Sequence, residues 1–91
     1  MSKEEFSIEL AGVIGTIKSY TSDPFIIGYI SELKTALEKE QLYMAELIVS
    51  KLIIWYNEQI EDIMVDRYVY NKDAHRKSFQ ILKNYGNCLT W

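Results

Sequence analysis

The stretch LIVSKLIIWY, residues 47–56, constrains the fold of this chain more than any other part of the sequence. Eight of its ten residues are apolar, and only Ser50 and Lys51 interrupt it. At about 100° per residue, a helix here is apolar over a width that contacts more than one neighbour. The stretch is also well short of the roughly 20 apolar residues that span a bilayer. It therefore predicts a helix packed against several others, with no insertion into a membrane.

Apolar residues recur at spacings of three and four along the rest of the chain, which indicates further amphipathic helices. A length of 91 residues, 48% of them apolar, allows one domain with one dense core. The predicted helices cover residues 3–20, 24–39, 43–68 and 72–85, and a short tail follows at 86–91. The predicted fold is all-α, a compact single-domain bundle of about four helices with mostly antiparallel connections.

Some helix ends carry their own signals. Asp23 can cap helix 2, and Pro24 suits its first position because no backbone N–H is needed there. No glycine or proline marks the end of helix 2, but one helix continuing through helix 3 would be far too long for this protein. We therefore predict a tight turn near residues 39–42. Asn71 and Asp73 are candidate caps for helix 4.

Two further expectations concern packing. The breadth of the apolar face of helix 3 predicts that this helix is the central element, with helices 1, 2 and 4 around it. Gly12 and Gly15 interrupt helix 1, and each weakens it by about 1 kcal/mol relative to alanine. They either allow a close approach of another helix or provide a flexible point, and the close approach is the favoured interpretation.

A second, narrower apolar row runs along the opposite side of helix 3. Leu47 and Ile54 lie two turns apart on it, and Tyr43 and Val65 continue the same line. This row stays exposed if the other helices cover the broad face, unless helix 4 or the tail packs over it. An aligned set of exposed apolar residues often marks a partner site.

Four carboxylates, those of Glu58, Glu61, Asp62 and Asp66, cluster on the same helix. Such a cluster is commonly a solvated face, and otherwise a negative patch that meets a basic partner. Charge of this kind steers association and adds specificity more than affinity. The candidate partner-binding residues are Tyr43, Leu47, Ile54, Glu58, Glu61 and Asp62.

Charge is distributed unevenly along the chain. Residues 1–66 hold five lysines against twelve carboxylates, whereas residues 67–91 hold five basic residues against Asp73 alone. The two segments can attract each other in the fold, or the basic segment can meet an acidic partner. The net charge of −3 disfavours nucleic-acid binding. The basic residues of helix 4, which do not all share one face, are Lys72, Arg76, Lys77 and Lys83.

No catalytic, metal-binding or cofactor-binding motif is visible. His75 is the only histidine, so a two-histidine metal site is excluded, and its basic neighbours predict a surface position. Cys88 has no histidine or asparagine nearby in sequence to activate it, and a single cysteine fits a reducing compartment. The acidic, amphipathic start of the sequence is unlike a signal peptide. We therefore expect a cytoplasmic protein without enzymatic activity, metal or cofactor.

These features favour a non-enzymatic protein-binding module. The most specific expectation is a small inhibitor, immunity or antitoxin-like protein of bacterial or phage origin that binds a protein through the apolar and acidic face of helix 3. The first alternative is a homo-oligomeric structural or adaptor subunit that uses this face against its own copy. The second is a nucleic-acid-associated regulator that uses helix 4. Seven tyrosines and two tryptophans suit an interface, and the terminal Trp91 either docks on the core or meets a partner.

Overall fold

The computed structural model describes residues 3–86, which form four α-helices and no β-strand. The helices are α1 (Lys3–Tyr20), α2 (Pro24–Glu38), α3 (Leu42–Val65) and α4 (Lys72–Gly86). The all-α prediction is confirmed, and each predicted helix is present with its ends shifted by three residues at most. The radius of gyration, 12.6 Å, is what a compact chain of this length is expected to have.

The four helices form a ring of neighbours around the core, in which α1 packs on α2, α2 on α3, α3 on α4 and α4 on α1. Helix α3 is therefore one side of the bundle, and the prediction that it is the centre is wrong. Its apolar face is broad because it meets two flanking helices and the core between them. At one end of the bundle Tyr20 reaches α3, where its hydroxyl donates to Gln59 Oε1 at 3.4 Å.

The core is built from one apolar stripe of each helix. The rings of Phe6 and Tyr85 join the first and last helices, with centroids 4.1 Å apart. Burial of each such side chain stabilises the fold by about 1.5–3 kcal/mol. Among the largest fully buried side chains are Phe6, Ile17, Leu33, Leu52, Tyr56, Ile63 and Leu82.

The stretch 47–56 divides its apolar residues between core and surface. Its inward side is buried, at Ile48, Val49, Leu52 and Tyr56. Its outward side stays exposed, at Leu47 and Ile54. Within residues 3–86, no helix has the length and apolar content needed to cross a bilayer.

The start of helix α2 follows its sequence signals. The Asp23 carboxylate accepts a hydrogen bond from the backbone N–H of Phe25 at 2.9 Å, and Pro24 occupies the first helical position. This bond satisfies a backbone donor that the helix itself leaves unpaired. The predicted cap is confirmed.

The predicted turn between helices 2 and 3 is present at residues 39–41. The N–H of Gln41 donates to the carbonyl of Ala36 at 2.8 Å. The N–H of Glu40 donates to the carbonyl of Leu37 at 3.2 Å, which completes a Schellman motif. The motif places Glu40 at φ 57°, a left-handed conformation that glycine usually supplies. The turn is hard to recognise in the sequence because no glycine marks it.

Helix α3 ends at Val65, three residues before the predicted end at Tyr68. Asp66 takes an extended backbone conformation, and its Oδ1 accepts the N–H of Tyr68 at 2.8 Å. Short polar side chains compete with helical hydrogen bonds in this way. The aromatic residues after Asp66 therefore belong to the connection, where Tyr68 is exposed.

The backbone of Asn71 starts helix α4, since its carbonyl accepts the N–H of His75 at 3.1 Å. Its side chain does not cap the helix as predicted. The Asn71 amide instead donates to Ser19 Oγ at 2.9 Å. This bond ties the connection between α3 and α4 to the end of α1.

Gly12 and Gly15 do not mark a close helix approach, so the favoured interpretation is wrong. A Cβ atom added at either position meets no atom within 4 Å.

We expect Gly12→Ala and Gly15→Ala each to raise the free energy of unfolding by about 1 kcal/mol, because alanine loses less backbone entropy on folding. Thermal melting should show a rise of about 5 °C for each substitution. A lower melting temperature in either variant would contradict this account of α1.

Candidate protein-binding face of helix α3

Helix α3 carries a row of apolar side chains on the side that faces away from the core. Tyr43, Leu47 and Ile54 are 74%, 41% and 61% exposed, and Val65 continues the line at 81%. On a helical wheel the four residues fall within about 40° of one another. The row, hereafter the apolar row, is thus nearly parallel to the helix axis and about 33 Å long.

None of the four described helices covers the apolar row. Helices α2 and α4 pack on the two flanks of α3 and leave its outer side open to solvent. Cover by helix 4, which the sequence left open, is therefore excluded. The tail at residues 87–91, with Cys88 and Trp91, lies outside the described residues, as do the expectations that concern it.

The predicted acidic residues lie towards the end of α3, where Glu61 falls in line with the apolar row and Glu58 and Asp62 lie to one side of it. Glu58, Glu61 and Asp62 are all exposed. Across residues 3–86, no basic side chain forms an ion pair with any of the three. The negative end of the helix dipole opposes carboxylates in the last turn, by about 0.3–1 kcal/mol each. Asp62 lies in this last turn, and Asp66 differs from it because its carboxylate accepts the backbone N–H of Tyr68 beyond the helix end.

Both flanks of the apolar row carry charges of both signs. On the α2 side, Lys51 directs its ammonium group away from the row, to 5.2 Å from the ring centroid of Tyr29. Glu58 and Asp62 occupy the same flank further along α3. On the α4 side, Arg76 Nε lies 3.1 Å from Met64 Sδ. Glu46 lies on the α4 side as well, at the helical angle of Met64, and burial together with the charge of Glu46 raises the pKa of Tyr85 on α4.

The basic residues after α3 make mostly local contacts. Arg67 stacks on Tyr68, 5.1 Å from its ring centroid, and Lys83 lies 4.4 Å from that of Phe79. Arg76 also lies 3.9 Å from the exposed carboxylate of Asp73, in a pair worth little in water. These contacts give no support to a dedicated nucleic-acid surface on α4.

His75 is fully buried, so the predicted surface position is wrong. Its Nδ1 lies 2.9 Å from the hydroxyl of Tyr56, and its ring meets that of Tyr20 edge-on at 5.5 Å. Within the described residues its Nε2 has no hydrogen-bond partner. The sequence does contain the signal, because His75 shares the helical spacing of Phe79 and Leu82. The prediction gave more weight to its basic neighbours, Arg76 and Lys77, than to this spacing.

Burial shifts the pKa of both His75 and Tyr56. It lowers the pKa of His75, since an imidazolium would lose its hydration in the core. It raises the pKa of the Tyr56 hydroxyl, and a hydrogen bond with Ser78 opposes that rise. Both groups are therefore neutral in the folded protein near neutral pH. No group of three or more histidine, cysteine or acidic side chains within residues 3–86 is placed to hold a metal ion.

We expect the stability of the protein to fall as the pH is lowered from about 7 to about 5. An unfolded histidine takes up a proton near pH 6.5, whereas folded His75 resists protonation, so acid favours the unfolded chain. The loss begins below about pH 6.5 and grows until the lowered pKa of the folded protein is reached. Urea unfolding at several pH values measures it, and His75→Gln should remove the dependence in this window. An equal dependence in both proteins would contradict the assignment.

Comparison with known proteins gives one distant similarity. The chain is 22% identical, over 82 residues, to the uncharacterized protein YddK of Bacillus subtilis (strain 168). The match covers 90% of this chain but 31% of YddK, so the chain spans about a third of that relative's length. No family model and no solved structure matches the chain. At this identity the similarity assigns neither a family nor a function.

Proposed function

We propose that this chain is a non-enzymatic protein-binding module whose docking face is the outer side of α3. The observation that carries the proposal is the exposed apolar row, in which Tyr43, Leu47 and Ile54 are aligned on one helix. Isolated exposed apolar residues are ordinary on protein surfaces, whereas an aligned set is typical of partner sites. The tyrosine adds a large ring with a polar tip, a residue type enriched among interface hot spots.

The adjacent carboxylates support the same proposal. Glu61 and Asp62 are exposed and have no ion-pair partner within the described residues. In a docking face they would select a partner with cations and repel acidic surfaces.

The specific role we propose is that of a small inhibitor, immunity or antitoxin-like protein that acts in the cytoplasm of a bacterium or on behalf of a phage. Its support is the net charge of −3 and the single cysteine in these 91 residues. The uncharacterized relative YddK contributes no activity to this argument.

Affinity capture from a lysate of cells that naturally express the chain tests the proposal. The bait is the tagged protein, compared with the double variant Leu47→Lys/Ile54→Lys. The matched control is Ile8→Lys, because Ile8 is 78% exposed on α1, away from the proposed face. We expect one stoichiometric protein with the wild-type chain and the control, and its loss with the double variant. A partner that all three baits retain would show that binding does not use the outer side of α3.

A further inference from the structure

A cavity of about 450 Å³ opens at one end of the bundle, where the end of α1 meets the connection between α3 and α4. This volume lies within the range of small-molecule sites. Tyr20 lines the cavity from α1, and Tyr68 and Tyr70 line it from the connection. His75 closes its inner end, since this residue belongs to the lining and is fully buried. The cavity therefore combines aromatic walls with one buried polar side chain at its floor.

Hydrogen bonds among the lining residues fix the walls of the cavity. The Asn71 amide donates to Ser19 Oγ at 2.9 Å and so joins the connection to α1. Asp66 Oδ1 accepts the N–H of Tyr68 at 2.8 Å, and the carbonyl of Asp66 accepts the N–H of Val69 at 3.2 Å. All five residues line the cavity. The fold itself thus sets the walls, as in ligand sites that are largely formed before binding.

His75 supplies the observation that points to a ligand. Its Nδ1 pairs with the hydroxyl of Tyr56, whereas its buried Nε2 has no hydrogen-bond partner within residues 3–86. A buried polar atom without a partner costs about 1–3 kcal/mol, so native proteins seldom keep one. Tyr56 lies in the core, which directs the Nε2 edge of the ring towards the cavity that the ring lines. A ligand at the inner end of the cavity would satisfy this atom.

The hydrogen-bond network assigns the imidazole hydrogen to Nε2. A hydrogen bond with Ser78 opposes the rise in the pKa of Tyr56, which is the effect of a donor to the phenol oxygen. Tyr56 then uses its own hydrogen for His75 Nδ1, and a neutral imidazole carries its single hydrogen on the other nitrogen. Nε2 is therefore a donor, and the group that pairs with it is an acceptor.

The lining also restricts the charge and the shape of the ligand. The group that meets Nε2 must accept, which excludes a cationic group that only donates. Asp66 carries the one charge among the described residues that line the cavity, and it disfavours an anion. Rings from Tyr20, Tyr68 and Tyr70 favour a flat aromatic ligand, because ring contacts add about 0.5–1.5 kcal/mol beyond the area they bury.

We propose that this cavity binds a small, uncharged heteroaromatic molecule, whose ring nitrogen or carbonyl oxygen accepts a hydrogen bond from His75 Nε2. Tyr70 is 95% exposed and packs against the bound ring when the ligand enters. None of the lining residues belongs to the apolar row on α3, so the inference goes beyond the proposed function and does not depend on it.

Nuclear magnetic resonance of the full chain tests the proposal, because His75 is the only histidine and can be labelled alone with ¹⁵N. The probes share one ring shape: pyridine is an uncharged acceptor, benzene has no acceptor, and N-methylpyridinium is a cation without one. We expect the unliganded spectrum to place the hydrogen on Nε2, and pyridine to shift that signal saturably. Pyridine should bind about tenfold more tightly than benzene or N-methylpyridinium.

Two variants locate the binding site. Tyr70→Ala removes a ring from the cavity wall, and the exposure of Tyr70 means that the melting temperature should not change. We expect this variant to weaken pyridine binding by about three- to tenfold. The matched control is Phe25→Ala, because Phe25 is a 75% exposed aromatic residue outside the lining. It should bind pyridine as wild type does.

The remaining outcomes overturn the proposal. No saturable shift with pyridine would leave water as the only occupant of the cavity. Equal affinity for pyridine and benzene, or a hydrogen on Nδ1 instead of Nε2, would reject His75 as the donor. Pyridine binding that Tyr70→Ala leaves unchanged, or that Phe25→Ala weakens equally, would place the site elsewhere. None of these results bears on lysate capture by the α3 face, so the two proposals fail independently.

Discussion

Replacing Leu47 and Ile54 together by lysine is expected to weaken partner binding by about a hundredfold or more. The few hot-spot residues near the centre of an interface cost about 2 kcal/mol or more each when truncated, and a lysine adds the cost of burying a charge. Both positions are exposed in the free protein, so the free energy of unfolding should stay within about 0.5 kcal/mol of wild type. Titration of the captured partner by calorimetry measures the affinity, and circular dichroism measures helicity and melting.

The control for this prediction is Ile8→Lys. It introduces the same charge at an exposed isoleucine on α1 and should leave the affinity unchanged. A double variant that binds as tightly as wild type would show that the partner docks elsewhere. A double variant that melts far below wild type would show that Leu47 and Ile54 belong to the fold, and it would contradict their exposed placement.

Tyr56→Ala is expected to lower the free energy of unfolding by about 3–5 kcal/mol, the range for truncating a large buried aromatic. The Tyr56 side chain is fully buried, and its ring packs against Trp55 and Phe79 with centroids 4.9 and 5.6 Å apart. Its loss also leaves His75 Nδ1 unpaired. Because small domains are stable by only about 5–15 kcal/mol, a large part of the total would disappear. Urea denaturation followed by circular dichroism measures the change.

Tyr56→Phe separates the ring from the hydroxyl. This variant keeps the packing against Phe79 and loses the hydrogen bonds of the hydroxyl with His75 and Ser78, so we expect a decrease of about 1–3 kcal/mol. If alanine and phenylalanine at this position lower stability equally, the ring does not pack as described. If phenylalanine leaves stability unchanged, the hydrogen bonds of the hydroxyl with His75 and Ser78 make no net contribution to stability.

The helices were predictable because their signals are local. An apolar stripe of period 3.6 requires only neighbouring residues, and the Asp23 cap and Pro24 act within one turn. The end of α3 was placed too late because the Asp66 carboxylate competes with the helix through a single hydrogen bond to Tyr68. Such a bond is possible for any aspartate, so the sequence alone does not show which aspartate forms it.

Packing was less predictable, because it depends on contacts between distant segments. A broad apolar face on α3 fits both a central helix and one side of a ring, and the sequence does not separate these arrangements. His75 was misplaced because its charged neighbours outweighed its helical spacing. The candidate face was likewise predictable only in its local part. The helical wheel aligned Leu47 with Ile54, but it could not show whether α4 packs over them.

The central claim, that a partner docks on the outer side of α3, is tested most directly by photo-crosslinking in cells that naturally express the chain. A photoreactive phenylalanine analogue replaces Ile54 in one version of the protein and Ile8 in a second. We expect irradiation to join one foreign protein to the version labelled at position 54, with no such adduct at position 8. Adducts only at position 8, or at position 54 only to another copy of the same chain, would contradict the claim.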